Sequence, residues 1–332
     1  MKQFRRWIVG LAITLATVLG VVSLQPQTSA QSPEVTLESA GVTVQQVANG
    51  VYSLIASTDF PPTDPANIAI CNATIVIGSD GVLVIDPFQN EALANLVFST
   101  VATLTDQPIR YVVNTHYHFD HSGGNAAADE RGFPIVGRGP IREFMLTRNR
   151  ETDPNVTPPD IVVNGQEELW LGDRQVRLAE FEGHSSGTDM VAYIPDADVL
   201  VAGDLLFSKR IPYVGDGNIR VWRDNLTQLI AAYGTAKVVP GHGPVGDRAT
   251  LEELKTYLTD LETLALSWRE AGLSQEEALA QATVPTRYAE YLFQAMYPNN
   301  LEVAYKQITL GQDDAASIQQ YFAAQPRELK DL

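Results

Sequence analysis

The sequence predicts an α/β fold built from two similar halves. Short runs rich in β-branched residues, separated by Asn-Gly and Asp-Gly turns, predict paired strands between residues 42 and 85. A segment with helical spacing of its apolar residues, 90–105, then leads into another β-branched run at 108–113. Strand and turn signals return after residue 169. The second half therefore repeats the strand, turn and helix pattern of the first.

In the first half, two hairpins are indicated by their turns. Asn49-Gly50 separates the runs 42–48 and 51–55, and Ser79-Asp80-Gly81 separates 75–77 from 82–85. The proline-rich stretch 59–65 between them predicts a loop. After the helix over 90–105, shorter helices are expected over 125–131 and 141–148, around a strand at 133–136.

In the second half, a hairpin of 169–171 and 176–181 ends just before His184. Further on, Thr250 with Glu253, and Ser274 with Glu277, have the capping-box form and each predict a helix start. We expect the first of these helices to end near Gly272. Residues 250–332 are thus predicted to form a helical extension packed on a domain of residues 31–249.

The N-terminus is typical of a secretory signal peptide. A short basic region precedes an apolar run over 7–24, and Thr28-Ser29-Ala30 supplies the small residues that a signal peptidase reads. We expect cleavage after Ala30 and an exported protein, periplasmic or secreted, with no stable membrane insertion. An uncleaved membrane anchor is the alternative, because about 18 apolar residues approach the length of a spanning helix.

Charge and cysteine content exclude two classes of function. Cleavage after Ala30 would remove three basic residues and lower the formal net charge from -17 to -20. A protein this acidic lacks the basic track that binds phosphate backbones, so no nucleic-acid partner is expected. Cys71 is the only cysteine in the sequence, which excludes an intramolecular disulfide and dithiol redox chemistry. It lies in a predicted strand, where a small buried thiol is the simplest interpretation.

Three of the five histidines lie in one short motif, Asn114 to Gly124. The run 108–113 predicts a strand entering it, so His116 and His118 should point to one side. A turn near Phe119 would then offer Asp120 and His121 to a second centre. A lone histidine pair in a strand is usually structural, but four ligand-type side chains within six positions indicate a site for two divalent ions.

The remaining histidines, His184 and His242, each lie in a glycine-containing loop. Between them, the apolar run 199–204 predicts a strand that ends in Gly203 and Asp204, so that a carboxylate is presented at the rim of a sheet. All five histidines are thereby accounted for as candidate metal ligands, together with Asp120 and Asp204.

These motifs together resemble the metallo-β-lactamase superfamily over residues 45 to 250. They comprise the strand ending at Asp86, the block from His116 to His121, and then His184, Asp204 and His242 in order. The resemblance implies a four-layer αββα sandwich and two zinc ions per chain. It further implies that His116, His118 and His184 hold one ion, that Asp120, His121 and His242 hold the other, and that Asp204 bridges them.

The resemblance also implies a hydrolase for a small-molecule substrate. Two close divalent ions can share a hydroxide formed near neutral pH, which would attack an ester, lactone, thioester or amide carbonyl while Asp120 orients it or passes on a proton. Asp86 is expected to fix a ligand imidazole. Lys209, Arg210 and Tyr213 are candidates for binding a substrate carboxylate, with a solvated surface turn as the alternative.

Other functions remain open at this point. Many antibiotic-hydrolysing members have a cysteine where this sequence has Asp204, so the chain is more similar to the broader hydrolase branch, with β-lactamase activity as an alternative. Some relatives bind iron and act as oxidoreductases on sulfur compounds, or as diiron reductases with a glutamate in place of His118. A non-catalytic zinc-binding or partner-binding protein is the third class. The sequence gives no signal for an oligomeric state.

The helical extension is expected to shape the cleft above the metals. Its few basic residues are scattered and outnumbered by acidic ones, which disfavours an anionic peptide substrate. Its aromatic residues instead predict an apolar wall and a neutral or apolar acyl substrate; the candidates are Tyr288, Tyr291, Phe293 and Tyr297.

Overall fold

The structure, a computed structural model, describes residues 35–185 and 187–309. The predicted signal peptide and the last residues of the extension lie outside the described residues. Described strands form two sheets. The first sheet has seven described strands and the second has five.

The seven strands of the first sheet follow one another in space as they do in sequence. They are β1 (Val42–Ala48), β2 (Val51–Ala56), β3 (Ala73–Ile77), β4 (Val82–Ile85), β5 (Ile109–Val113), β6 (Ile135–Arg138) and β7 (Ile161–Val163). Pairing is antiparallel from β1 to β4 and parallel from β4 to β7. Both predicted hairpins are confirmed, because β1 pairs with β2 and β3 with β4.

The second sheet is antiparallel except at one edge. Its strands are β8 (Gln166–Leu171), β9 (Arg174–Glu180), β10 (Met190–Ile194), β11 (Val199–Phe207) and β12 (Lys237–His242). They lie in the order β12-β11-β10-β9-β8. β11 and β12 run parallel, joined by helix α5 (Ile219–Tyr233). The carboxyl ends of parallel strands lie at one sheet edge, so this connection brings Asp204 and His242 together.

Three apolar clusters show that the layers are helix, sheet, sheet and helix. The inner faces of the two sheets meet in one cluster, which includes Val76, Leu83, Leu178 and Val201. The outer face of the first sheet packs on α1 (Glu91–Leu104) and α3 (Asn125–Asp129). The outer face of the second sheet packs on α5 and on the C-terminal helices. The αββα sandwich is thus confirmed.

The C-terminal helices are continuous with the core of the second sheet. They are α6 (Arg248–Ala271), α7 (Gln275–Gln281) and α8 (Tyr297–Thr309), with single 3-10 turns at Thr286–Tyr288 and Gln294–Met296.

Two shorter helices, α2 (Phe119–Ser122) and α4 (Ile141–Thr147), and a 3-10 turn at Asn149–Glu151 follow β5 and β6. None of the described helices is long and apolar enough to cross a membrane.

Three local predictions from the sequence were wrong. β5 ends at Val113, so His116 and His118 lie in a turn and not in a continuing strand. β11 continues to Phe207, so Asp204 lies inside a strand and not at its end. Helix α6 begins at Arg248 because Asp247 accepts hydrogen bonds from the first turn, so Thr250 is the third helical residue and not the cap.

Candidate metal centre

Seven side chains from four separated segments converge at the carboxyl edge of the two sheets. The turn after β5 and the short helix α2 supply His116, His118, Asp120 and His121. The loop after β9 supplies His184, the interior of β11 supplies Asp204, and the end of β12 supplies His242. Phe119 is the first residue of α2. The chain therefore turns where the sequence predicted that it would.

The first group of ligand-type side chains is His116, His118, His184 and Asp204. Their ligand atoms all lie within 4.8 Å of one another, so that they could hold one metal ion. Oδ2 of Asp204 is 3.6 Å from Nε2 of His116 and 3.5 Å from Nε2 of His184. The group is nearly closed to solvent, because His116 and His184 are fully buried.

The second group is Asp120, His121 and His242, which meet the same distance criterion. Oδ2 of Asp120 is 3.4 Å from Nε2 of His121 and 3.3 Å from Nε2 of His242. The other oxygen of Asp204, Oδ1, is 3.1 Å from His121 Nε2 and 3.2 Å from His242 Nε2. The two oxygens of Asp204 thus face different groups, which is the arrangement that a bridging carboxylate requires.

The donor set fits divalent metal ions. Four buried atoms in it lack a hydrogen-bond partner: His116 Nε2, His184 Nδ1, His184 Nε2 and Asp204 Oδ1. Leaving buried polar atoms unpaired is costly. An ion in the first group would satisfy His116 Nε2 and His184 Nε2, and an ion in the second group would satisfy Asp204 Oδ1. Imidazoles combined with a few carboxylates are the ligands that zinc and similar borderline cations prefer.

Asp86 supports one ligand from behind, as the sequence suggested. Its Oδ2 accepts from Nδ1 of His121 at 2.9 Å and from the hydroxyl of Thr115 at 2.7 Å, while its Oδ1 accepts from the backbone N–H of Thr115 at 2.8 Å. Asp86 lies in the left-handed region, with φ of 56°, at the end of β4. Its carboxylate fixes the ring of His121 with Nε2 toward the second group.

Asp216 does the same for the first group, and sequence reasoning missed it. Its Oδ2 is 2.9 Å from Nε2 of His118 and accepts from the hydroxyl of Tyr117 at 2.5 Å. Nδ1 of His118 is therefore the nitrogen left for a metal. The nearby Arg148 guanidinium donates to the Tyr117 hydroxyl at 2.7 Å. Asp216 follows β11 in a loop with no strand or helix signal, so only its carboxylate could have marked it.

Nδ1 of His116 lies 3.0 Å from the hydroxyl of Thr115, and the imidazoles of His242 and His184 have longer outer contacts. Nδ1 of His242 is 3.1 Å from the carbonyl of Ile70, and Nδ1 of His184 is 3.7 Å from Oδ1 of Asp189. Asp189 also accepts from the backbone N–H groups of His184 and Ser185, each at 2.8 Å, which closes the loop around that ligand.

Burial and neighbouring charges shift the pKa values within the cluster in directions that favour the binding of cations. Burial tends to raise the pKa of Asp204, but the surrounding histidines, His121 foremost, outweigh it and hold the pKa well below its usual value. Burial, followed by the charge of His121, lowers the pKa of His116 well below its usual value. For His242, burial is opposed by Asp204 and Asp120, which together raise its pKa to about 9. Metal binding to His242 would therefore release a proton.

Cys71 lies beneath the second group but takes no ligand position. It is fully buried, and its Sγ donates to the carbonyl of Asp120 at 2.9 Å. Burial raises the pKa of this thiol to about 12, so the thiolate that a metal would need is disfavoured. This agrees with its interpretation as a buried structural thiol.

The three candidates for binding a substrate carboxylate differ in position. Tyr213 reaches the first group, with its ring centroid 5.7 Å from that of His118. Arg210 is buried beside the second group, where its guanidinium carbon lies 5.7 Å from the ring centroid of Phe293. Lys209 is half-exposed and pairs with Glu253 at 2.6 Å. In the described part of the chain, Lys209 contacts no metal-ligand candidate.

Of the four aromatic residues expected to form a wall, one touches a ligand candidate. Phe293 packs on His242, with ring centroids 5.3 Å apart. Tyr288 and Tyr297 are buried within the extension, where their hydroxyls donate to Asp260 and to the carbonyl of Thr283. Tyr291 lies beside the Lys209 and Glu253 pair. Since Phe293 is itself only 2% exposed, it supports the site more than it lines an open surface.

Comparison with known proteins identifies the family to which the chain is similar. The family model of the metallo-beta-lactamase superfamily matches residues 67–242. A metallo-beta-lactamase type 2 from Bacillus cereus is 26% identical over 185 residues, which are 54% of this chain and 70% of the relative. A hydroxyacylglutathione hydrolase from Bradyrhizobium sp. (strain ORS 278) is 30% identical over 191 residues, covering 57% of this chain and 66% of the relative.

Solved structures agree on the fold. A stereoselective inverting sec-alkylsulfatase from Pseudomonas sp. superposes with a TM-score of 0.63 and 18% identity, over 80% of this chain and 50% of that protein. At this identity the likeness concerns the fold alone. The matched region of the family model contains all seven ligand candidates. By its sequence, its fold and its cluster of histidines and aspartates, the chain belongs to the metallo-β-lactamase superfamily.

Proposed function

We propose that this protein is a dinuclear zinc hydrolase that acts on a carbonyl of the ester, lactone, thioester or amide type. The observation that carries the proposal is the position of Asp204, whose two oxygens face two separate groups of ligand atoms. A carboxylate in this position can hold two cations close together, as hydrolytic two-metal sites require.

Zinc ions held by these groups would lower the pKa of a water molecule and polarise the substrate carbonyl. The protein side chains supply the rest. Asp120 is the ligand candidate in the second group with most exposure, at 8%, so its carboxylate can orient the attacking water and accept a proton. Asp86 and Asp216 bind the rings of His121 and His118 and would hold them in one orientation toward the metals.

The two curated relatives support hydrolysis and offer two substrate classes for testing. One is named for β-lactam hydrolysis and the other for hydrolysis of hydroxyacylglutathione. β-Lactamase activity is the alternative function, supported by the Bacillus cereus relative. An iron-dependent oxidoreductase of the same fold is distinguished from both by metal content.

The test combines metal analysis with a substrate panel. We expect purified protein to hold close to two zinc ions per chain and to hydrolyse at least one of the carbonyl substrates in the panel, a lactone, a thioester or a β-lactam. The panel also contains a phosphodiester and a sulfate ester, and hydrolysis of these alone would overturn the carbonyl assignment. Asp204→Ala should lower kcat/KM at least about 100-fold and reduce binding of both ions, because the carboxylate is shared. Glu91→Gln, an exposed change at the start of α1, is the matched control. One iron and no zinc in the native protein would refute the hydrolase.

We further propose export from the cytoplasm, on the basis of the basic and apolar N-terminal region and the small residues before Gln31. Mature protein should begin at or near Gln31, and N-terminal sequencing of native material from each cell fraction checks this. An intact Met1 in the membrane fraction would support an uncleaved anchor instead.

A further inference from the structure

His242, a metal-ligand candidate of the second group, packs against a residue of the C-terminal extension. The ring of His242 lies between two aromatic rings, stacked on Phe207 at 4.7 Å and edge-on to Phe293 at 5.3 Å. Phe207 belongs to β11, but Phe293 lies beyond α7, some fifty residues after the last ligand. The extension therefore touches a ligand directly.

Phe293 is held in a conformation that aromatic residues rarely adopt. Its φ is 65°, in the left-handed region, where a bulky side chain is strained. Its backbone N–H donates to Oδ1 of Asp59 at 2.7 Å, and the Arg210 guanidinium lies over its ring. The next backbone N–H before it, that of Leu292, donates to the carbonyl of Lys209 at 3.2 Å. Contacts from two other segments thus maintain the strained backbone that aims the ring at His242.

A separate part of the extension supports the first group through a loop. The loop 212–218 carries Tyr213 and Asp216, and two buried amides of α8 bind its backbone. Asn300 donates to the carbonyl of Pro212 at 2.6 Å and accepts from the N–H of Val214 at 3.3 Å.

Gln307 binds the other end of the loop. It donates to the carbonyl of Gly217 at 2.7 Å and accepts from the N–H of Ile219 at 3.0 Å. Because Asp216 lies between the two anchored ends and bonds to His118, α8 sets the position of a carboxylate that orients a ligand of the first group.

We propose that the C-terminal extension holds ligand candidates of the metal centre in position. Phe293 is the positioning residue for the second metal, and Gln307 is the positioning residue for the first. The inference rests on the proposed two-metal site but not on any substrate. The two supports reach different ligands through different contacts, so their loss should affect different ions. Loss of a group that orients a metal ligand weakens metal affinity by roughly 10- to 100-fold.

The experiment measures zinc affinity by competition with a chelating dye, in two backgrounds that each keep one group intact. In His242→Ala, which keeps the first group, Gln307→Glu should weaken zinc binding about 10-fold or more, while Phe293→Leu should leave it unchanged. In His116→Ala, which keeps the second group, the pattern should reverse. Tyr305→Phe, which removes one hydrogen bond of α8 to the carbonyl of Leu273, is the matched control and should change neither affinity.

The inference would be overturned if a variant weakened zinc binding equally in both backgrounds, because general loosening of the fold does not select one ion. It would also be overturned if zinc binding were weakened in neither background. Should a variant fail to fold, Phe293→Met or Gln307→Met replaces it, with the same expected selectivity. A wild-type chain that binds two zinc ions yet hydrolyses nothing in the panel would refute the proposed function alone. A wild-type chain that binds fewer than two would overturn both proposals.

Discussion

Glycines beside Asp204 leave the space that its carboxylate needs to face both groups of ligand atoms. Asp204 lies within β11, where the pairing with β12 shifts register on either side of Gly203. A side chain on Gly241, in the facing strand, would collide with Oδ1 of Asp204, so only glycine leaves the carboxylate its place. Gly203 has φ of 52°, and a side chain there would meet Thr115, which itself binds Asp86. The glycines beside the ligands are therefore a steric requirement of the site.

At the same scale, Asp216 should matter to the first metal. Asp216→Ala removes the acceptor of the His118 ring and should weaken zinc binding to the first group by roughly 10- to 100-fold. Asp216→Asn keeps one acceptor oxygen and should lose less. The measurement is zinc affinity in the His242→Ala background. Equal affinities of Asp216→Ala and its parent would show that the ring of His118 is oriented by other contacts.

At the scale of elements, strands with strong turn signals were predictable and strands without them were not. The hairpins around Asn49-Gly50 and Ser79-Asp80-Gly81 formed as expected, and Gly50 has the positive φ, 66°, that glycine tolerates. β10, β12 and α5 were not predicted, although the buried residues of α5 have helical spacing and Asn218 caps its first turn. β12 contains Pro240 and Gly241, which disfavour a strand locally, and its pairing with β11 is set by tertiary contact.

The ligand candidates were predictable from their residue types. Every histidine of the chain is a ligand candidate, so residue type alone identified most of the set. The prediction that His116 and His118 point to one side rested on a continuing strand. That premise is wrong, because both residues lie in a turn. Supporting residues such as Asp216 and Gln307 are common residue types in irregular or helical segments. Only the folded chain shows that they lie beside the site.

Helix α6 provides a test of where an element begins. Asp247 accepts from the N–H groups of Ala249 and Thr250 in a capping box, although the sequence pointed to Thr250 as the cap. Asp247→Ala should therefore lower the free energy of unfolding by about 1 kcal/mol, and Asp247→Asn by much less, because asparagine also caps. Urea denaturation measures both. A cost below a few tenths of a kcal/mol for Asp247→Ala would contradict this helix start.

At the scale of the whole molecule, the candidate metal centre joins the two halves of the sandwich. His116, His118, Asp120 and His121 follow a strand of the first sheet, whereas His184, Asp204 and His242 belong to strands or loops of the second. Each group of ligand atoms contains members from both halves. A bound ion would thus add a connection between the two halves to their apolar core and to polar contacts such as the ion pairs of Arg138 with Glu180 and Glu182.

Metal binding should therefore stabilise the entire fold. A ligand that binds only the folded state adds RT ln(1 + [L]/Kd), about 2.7 kcal/mol when free zinc is 100 times Kd. We expect chelation to lower the midpoint of thermal unfolding and zinc to restore it, with one cooperative transition in both cases because the ligands span both halves. In His116→Ala the shift should be smaller, since one group is impaired. Identical unfolding curves with zinc and with chelator would show that the ligands do not gather an ion in the folded chain.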